Sequence, residues 1–187
     1  MRRVSQALLT ALLVALPVSL SAQSVDSARA ALAKYRNPIT AIGDGYLSTV
    51  ACMDYPVGGT LGDHKFAPGA MGVHFLNMSL VGAPLDLAKP QVLIYEPSGD
   101  SLRLVAAEWF VPVQASATQP QMFGHGFDGP MHGHAPLMPA ELHHWDLHVW
   151  LWRENPAGMF SPTNATVRCP DGRYTFRDDK PTLVHGH

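Results

Sequence analysis

Apolar positions early in the chain fall into two groups: an almost unbroken run from Ala7 to Leu16, then Val25, Ala28, Leu32 and Tyr35 within VDSARAALAKYR. The second group has helical spacing and predicts one amphipathic helix, capped by Ser24 and stopped by Asn37-Pro38. Beyond it the pattern turns to β. The stretches MGVHFLNMSL (71–80), QVLIYE (91–96), SLRLVAAEWFVPV (101–113) and HHWDLHVWLW (143–152) are rich in β-branched and aromatic residues and bounded by Pro, Gly and Asp, which predicts long strands. ATVRC (165–169) and RYTF (173–176) flank Pro170-Asp171-Gly172 and predict a shorter closing pair around a turn. The expected fold is therefore mainly β, a single-domain antiparallel β-sandwich or small barrel with one N-terminal helix.

From about Pro112 to Glu141 the periodicity breaks down. Prolines at 112, 120, 130, 136 and 139 and glycines at 124, 126, 129 and 133 predict neither strand nor helix there. A connection of roughly 30 residues is long for a compact domain and reads as a functional lid or a flexible loop. It contains QMFGHGFDGPMHGHAP, so His125, His132 and His134 alternate with Met122, Met131 and Met138.

The N-terminal run has the layout of an export signal: Arg2 and Arg3 precede it, and small residues around Ser21 and Ala22 offer a cleavage site. It is too short to span a bilayer. The expected organisation is a signal over 1–22, one β-rich domain over 23–180 and a flexible tail over 181–187, the protein being periplasmic or secreted with no transmembrane span after processing. Removing residues 1–22 from the 187 leaves 165, with 11 Lys+Arg against 15 Asp+Glu and a formal charge of -4. No basic face emerges, and Arg168, Arg173 and Arg177 sit among Asp171, Asp178 and Asp179, so a nucleic-acid partner is excluded. Charged residues are only 15% of the chain and histidine fills part of the gap, with ten, none before His64. Net charge should therefore swing between about pH 5 and 8.

Export also bears on Cys52 and Cys169, the only two cysteines. In an oxidising compartment such a pair is expected to close into a disulfide, worth roughly 4–5 kcal/mol in the chain-entropy model for so long a loop. The competing reading makes them soft metal ligands, but neither belongs to a CxxC motif.

Alternation along HHWDLHVWLW puts His144, Asp146, His148, Trp150 and Trp152 on one side and His143, Trp145, Leu147, Val149 and Leu151 on the other. The second set is the expected core face. The first holds two imidazoles with a carboxylate between them, each about 7 Å from the next, and reads either as part of a metal site or as a polar outer face. His74 shares its face with Gly72, Leu76 and Met78 and is either a hydrogen-bonded core residue or a ligand. Glu96 follows Val92 and Ile94, and Glu108 follows Leu102, Leu104 and Ala106, so both carboxylates continue apolar stripes. A buried carboxylate demands a cation, a metal or a proton. Arg103, Arg153 or Arg168 could supply the cation. Alternatively, one of the glutamates with His74 and His148 would make a two-histidine, one-carboxylate set, which leaves positions on a divalent ion open for water or substrate.

The loop offers a second candidate in His125, His132, His134 and Met131, since imidazole suits Cu(II), Zn or Ni and thioether suits Cu(I). Its G-x5-H-x-H spacing falls short of a cupin motif, because Glu141 comes seven positions after His134. His185 and His187 read as adventitious metal bait. The chain contains no G-x-S-x-G elbow, H-E-x-x-H helix motif or phosphate loop. The sequons at Asn77 and Asn164 matter only where glycosylation machinery exists.

The phrases AIGDGYLSTVACM, MGVHF, LIYEP, LVAAEWFVP, LHVWLWRENPAGMFSPTN and VRC, spread over about residues 38–169, resemble a group of uncharacterised exported bacterial proteins. The resemblance implies one exported domain and carries no activity. The functional expectation is an extracytoplasmic β protein that binds a divalent transition metal, copper or zinc, through His74, His148, His144, Glu96 and Glu108. It becomes an enzyme if metal-bound water or dioxygen does chemistry. Alternatives are a metal-free module whose Trp109, Trp145, Trp150 and Trp152 line a small-molecule pocket, and an envelope interaction protein. Partners are thus a metal ion or small molecule, with oligomeric state open.

Overall fold

The computed structural model describes residues 20–61, 64–133, 138–171 and 175–177. The expected signal up to residue 19 and the expected tail lie outside these. Among the described residues, no helix is long and apolar enough to cross a membrane. Helix α1 spans Leu20–Leu32 and passes into a 3-10 turn, Ala33–Arg36. The positions picked out by periodicity, Val25, Ala28, Leu32 and Tyr35, are its buried face. The helix begins upstream of Ser24, so this serine is an interior residue and not the cap. Asn37 both stops and starts: its side chain accepts the Ile39 N–H at 3.0 Å and, with Pro38 in the first position, opens a short helix α2, Pro38–Gly43.

The strands are β1 (Leu47–Tyr55), β2 (Gly59–Leu61), β3 (His64–Phe66), β4 (Gly69–Leu76), β5 (Val92–Ser98), β6 (Ser101–Pro112), β7 (Gln121–Met122), β8 (His125–Gly126), β9 (Asp128–Met131), β10 (His144–Val149) and β11 (Thr175–Arg177). Seven of them form one sheet in the order β11-β1-β4-β5-β6-β10-β9, curled into a half-barrel, while β2–β3 and β7–β8 make separate small ladders. Every pairing in the large sheet is antiparallel except β11 on β1. The fold is mainly β, as the alternation predicts.

Several local expectations need correction. The segment 165–169 forms no strand: Asn164 Oδ1 accepts the Thr166 N–H at 2.9 Å and its hydroxyl at 2.8 Å, folding the chain into a local turn. β11 therefore pairs with β1 instead. β4 stops at Leu76 because Asn77 accepts the Ser79 N–H and begins a 3-10 turn at Met78–Leu80. The segment rich in Pro and Gly does contain strands, and β9 joins the large sheet as its edge against β10. An edge tolerates Pro130, whose missing N–H costs no ladder bond there. Gly129 makes the entry possible, since its φ is +114° and an added Cβ would lie 2.8 Å from the His144 carbonyl oxygen.

One face of the sheet packs on α1. Val73, Phe75, Leu93, Tyr95, Ala107, Trp109, Val111, Trp145, Leu147 and Val149 form the main core there with Leu32 and Tyr35, so the expected core face of 143–151 is the observed one. A register shift between Ile94/Ala106 and Tyr95/Leu104 leaves Val105 as an extra residue. Leu104 consequently belongs to the helix-side core, whereas Ala106 packs with Ile94 and Val92. The expected stripe from Leu102 to Glu108 is split by this bulge, and Glu108 shares the second face with Ala106. Cys52 and Cys169 are bridged across 117 positions, tying β1 to the segment after Asn164.

Candidate metal centre

The second face of the sheet gathers its ionisable groups on β4, β6 and β10. His148 and Glu108 are direct cross-strand partners on β10 and β6, which places their side chains together. His74 arrives from farther away, its register partner being Ile94 on β5, one strand short of β6. It meets the others across Val92, which lies between Leu76 and Glu108 in register. His74 Nε2 is 3.5 Å and His148 Nε2 is 3.6 Å from the same oxygen, Glu108 Oε2. The two imidazole rings stand nearly perpendicular, with centroids 6.4 Å apart.

His148 and Glu108 are 1% and 4% exposed. Burial pushes the Glu108 carboxyl up to about 8, since the charged form is disfavoured away from water. Among the described residues, Glu108 Oε2 has no hydrogen-bond partner, and neither has the buried Asp146 Oδ1. Among the described residues, His74, Glu108 and His148 are the group of three whose ligand atoms converge, all within 4.8 Å of one another, and they could hold a metal ion. Two imidazoles and a carboxylate suit a borderline divalent cation and leave coordination positions free.

A cavity of ≈ 40 Å³ adjoins the group, lined by Thr49, Met53, Met71, Leu76, Val92 and Met138 besides His74, Glu108, Asp146 and His148. At roughly 10–15 Å³ per water, it has room for an ion and a water or two. Pockets for drug-sized ligands are several times larger. None of the four tryptophans lines it; Trp109 and Trp145 are in the helix-side core and Trp150 packs with Val92 and Ile94.

No protein-family model, curated protein or solved structure matches this chain. What the site can do therefore rests on its own geometry.

The row on β10 continues past His148. His148 Nδ1 lies 3.8 Å from Asp146 Oδ1, and Asp146 Oδ2 lies 3.8 Å from His144 Nε2. His144 is fully buried, packs against Phe110 with the rings tilted and their centroids 4.6 Å apart, and donates through Nδ1 to the Leu142 carbonyl at 3.0 Å. The whole row is interior, so a solvated outer face is not what it forms. Burial first, then the Glu108 and Asp128 charges, hold the Asp146 carboxyl well above the usual range. Asp128, opposite Asp146 on β9, is the third buried acid here. Asp128 carries no signal of such a role in the sequence, because it falls in the segment rich in Pro and Gly whose pattern predicts no strand.

Glu96 takes the other course open to a buried carboxylate. It lies 3.9 Å from Arg103 Nη1 and 3.7 Å from Arg153 Nη2, and accepts the Arg168 N–H at 3.3 Å. The loop residues go to separate places. His125 stacks at 4.5 Å on Phe160, His132 packs edge-on against His143 and donates through Nδ1 to the Ala140 carbonyl at 3.2 Å, and Met131 is buried opposite His144. His134 lies outside the described residues. Thr49, Met53 and Met71 line the cavity without having been singled out. Met53 and Met71 share a small buried cluster with Tyr55, and Thr49 reaches the site through a β1 register shift, donating to the His74 carbonyl at 3.1 Å.

Proposed function

We propose that this protein binds a divalent transition metal, copper or zinc, through His74, Glu108 and His148, and works outside the cytoplasm. The observation that carries the reading is the convergence of two imidazole nitrogens on one buried carboxylate oxygen that has no hydrogen-bond partner among the described residues. A lone buried carboxylate costs several kcal/mol, and an ion at this point would supply the missing charge. Three protein ligands leave positions for water or a small substrate beside the cavity, the arrangement of catalytic metal sites. The Cys52–Cys169 bridge supports the compartment, because structural disulfides persist in oxidising surroundings.

Calorimetric titration of the untagged, chelator-treated chain with Zn²⁺ and Cu²⁺ tests the site. One equivalent should bind the wild type and be lost in His148→Ala and Glu108→Gln, while His125→Ala and His132→Ala keep it. Loss in the loop variants with retention in the strand variants would move the site to the loop.

A further inference from the structure

We infer that Asp146 is a positioning residue for this centre: it fixes the tautomer and orientation of His148 so that Nε2 faces the ion. The inference rests on the metal reading above and adds a role for a residue that is not itself among the converging ligands.

A histidine that binds a metal through one ring nitrogen must be neutral and carry its proton on the other. In His148 the two nitrogens have separate surroundings. Nε2 is turned to Glu108 Oε2 at 3.6 Å, inside the three-residue group, and Nδ1 is turned to Asp146 Oδ1 at 3.8 Å. Coordination through Nε2 therefore needs the proton on Nδ1, next to an oxygen that has no hydrogen-bond partner among the described residues. Contraction of that gap by less than 1 Å on metal binding would bring the pair to hydrogen-bond length. Carboxylates so placed behind a ligating imidazole orient the ring and raise its basicity.

Asp146 is also well braced. It stands on a strand flanked on both sides, opposite Phe110 of β6 and Asp128 of β9. Its second oxygen faces His144 Nε2, and the His144 ring is held in turn by Phe110 and the Leu142 carbonyl. A period-2 strand sets this spacing, since residues 146 and 148 share a face. The carboxylate lies between two imidazoles, facing one with each oxygen.

Two near-isosteric variants test the role. Asp146→Leu removes the acceptor, and Asp146→Asn keeps an amide oxygen that can still accept from Nδ1–H. Affinity for Co²⁺ and its visible absorption spectrum would be measured, beside thermal melting of the metal-free forms. Asp146→Leu should bind about 10- to 100-fold more weakly with an altered spectrum, and Asp146→Asn should recover most of the affinity. Metal-free melting should hold in both, because Asp146 Oδ1 has no hydrogen bond among the described residues for the substitutions to break. Wild-type affinity in Asp146→Leu, or weakening matched by an equal loss of metal-free stability in both variants, would overturn the positioning role alone. A wild type that takes no Co²⁺ would overturn the metal reading and this role with it.

Discussion

Glu108 is the residue on which the account turns. Its Oε2 is buried and, among the described residues, its ion-pair partners are the imidazoles of His74 and His148. Burial raises its pKa from 4.5 in the unfolded chain to about 8, so between those values the folded chain holds the extra proton. Stability of the metal-free protein from this group is then complete below about pH 4.5 and lost as pH rises through about 8. Denaturant melts of metal-free protein at pH 5 and pH 8.5 should show a fall of roughly a few kcal/mol, and Glu108→Gln should flatten it. An equal slope in the variant would mean that other groups carry the dependence. Glu108 and Glu96 illustrate what a sequence can and cannot show at this scale. Both follow apolar residues at alternating positions in the sequence and both are buried, so the demand for a counter-charge was legible. That Arg103 and Arg153 approach Glu96, leaving Glu108 to the histidines, depends on strand neighbours that no local pattern encodes.

Among the elements, legibility follows regularity of the backbone. Helix α1 shows its buried stripe at helical spacing, and β10 keeps its two faces apart, so both could be read directly. β1 could not. Its register shifts between Ser48 and Cys52, where Val50 has a φ of +68°, and again beyond Met53, so apolar and polar positions lose their period of two. The same bulged strand brings Thr49 and Met53 to the cavity and carries Cys52 of the disulfide. β9 was hidden for a different reason: Gly129 and Pro130 are breakers in an interior strand and are accommodated at this edge. The disulfide gives the prediction proper to this scale. With 117 positions between its cysteines, the bridge is worth up to about 4–5 kcal/mol through the unfolded state. Cys52→Ala/Cys169→Ala should lower the denaturation free energy by a large part of that amount, and an unchanged midpoint would show that the bridge stabilises nothing.

In the molecule as a whole the sheet has two unlike faces. One packs on α1 and supplies the apolar core, while the other concentrates His74, Glu108, Asp146, His144 and His148 away from it. Most of the fold's stability belongs to the first face, since buried apolar area is the dominant favourable contribution. Around the candidate centre the second face holds three buried acids, Glu108, Asp146 and Asp128, besides the arginine-paired Glu96 farther along it, a concentration that burial alone makes unfavourable. That cost has a physical reason if the face exists to hold an ion. Elemental analysis of the untagged protein, purified without added metal and again after reconstitution, tests this most directly. One transition-metal ion per chain, absent from His148→Ala, is the predicted result. No bound metal in either preparation of the wild type would contradict the account.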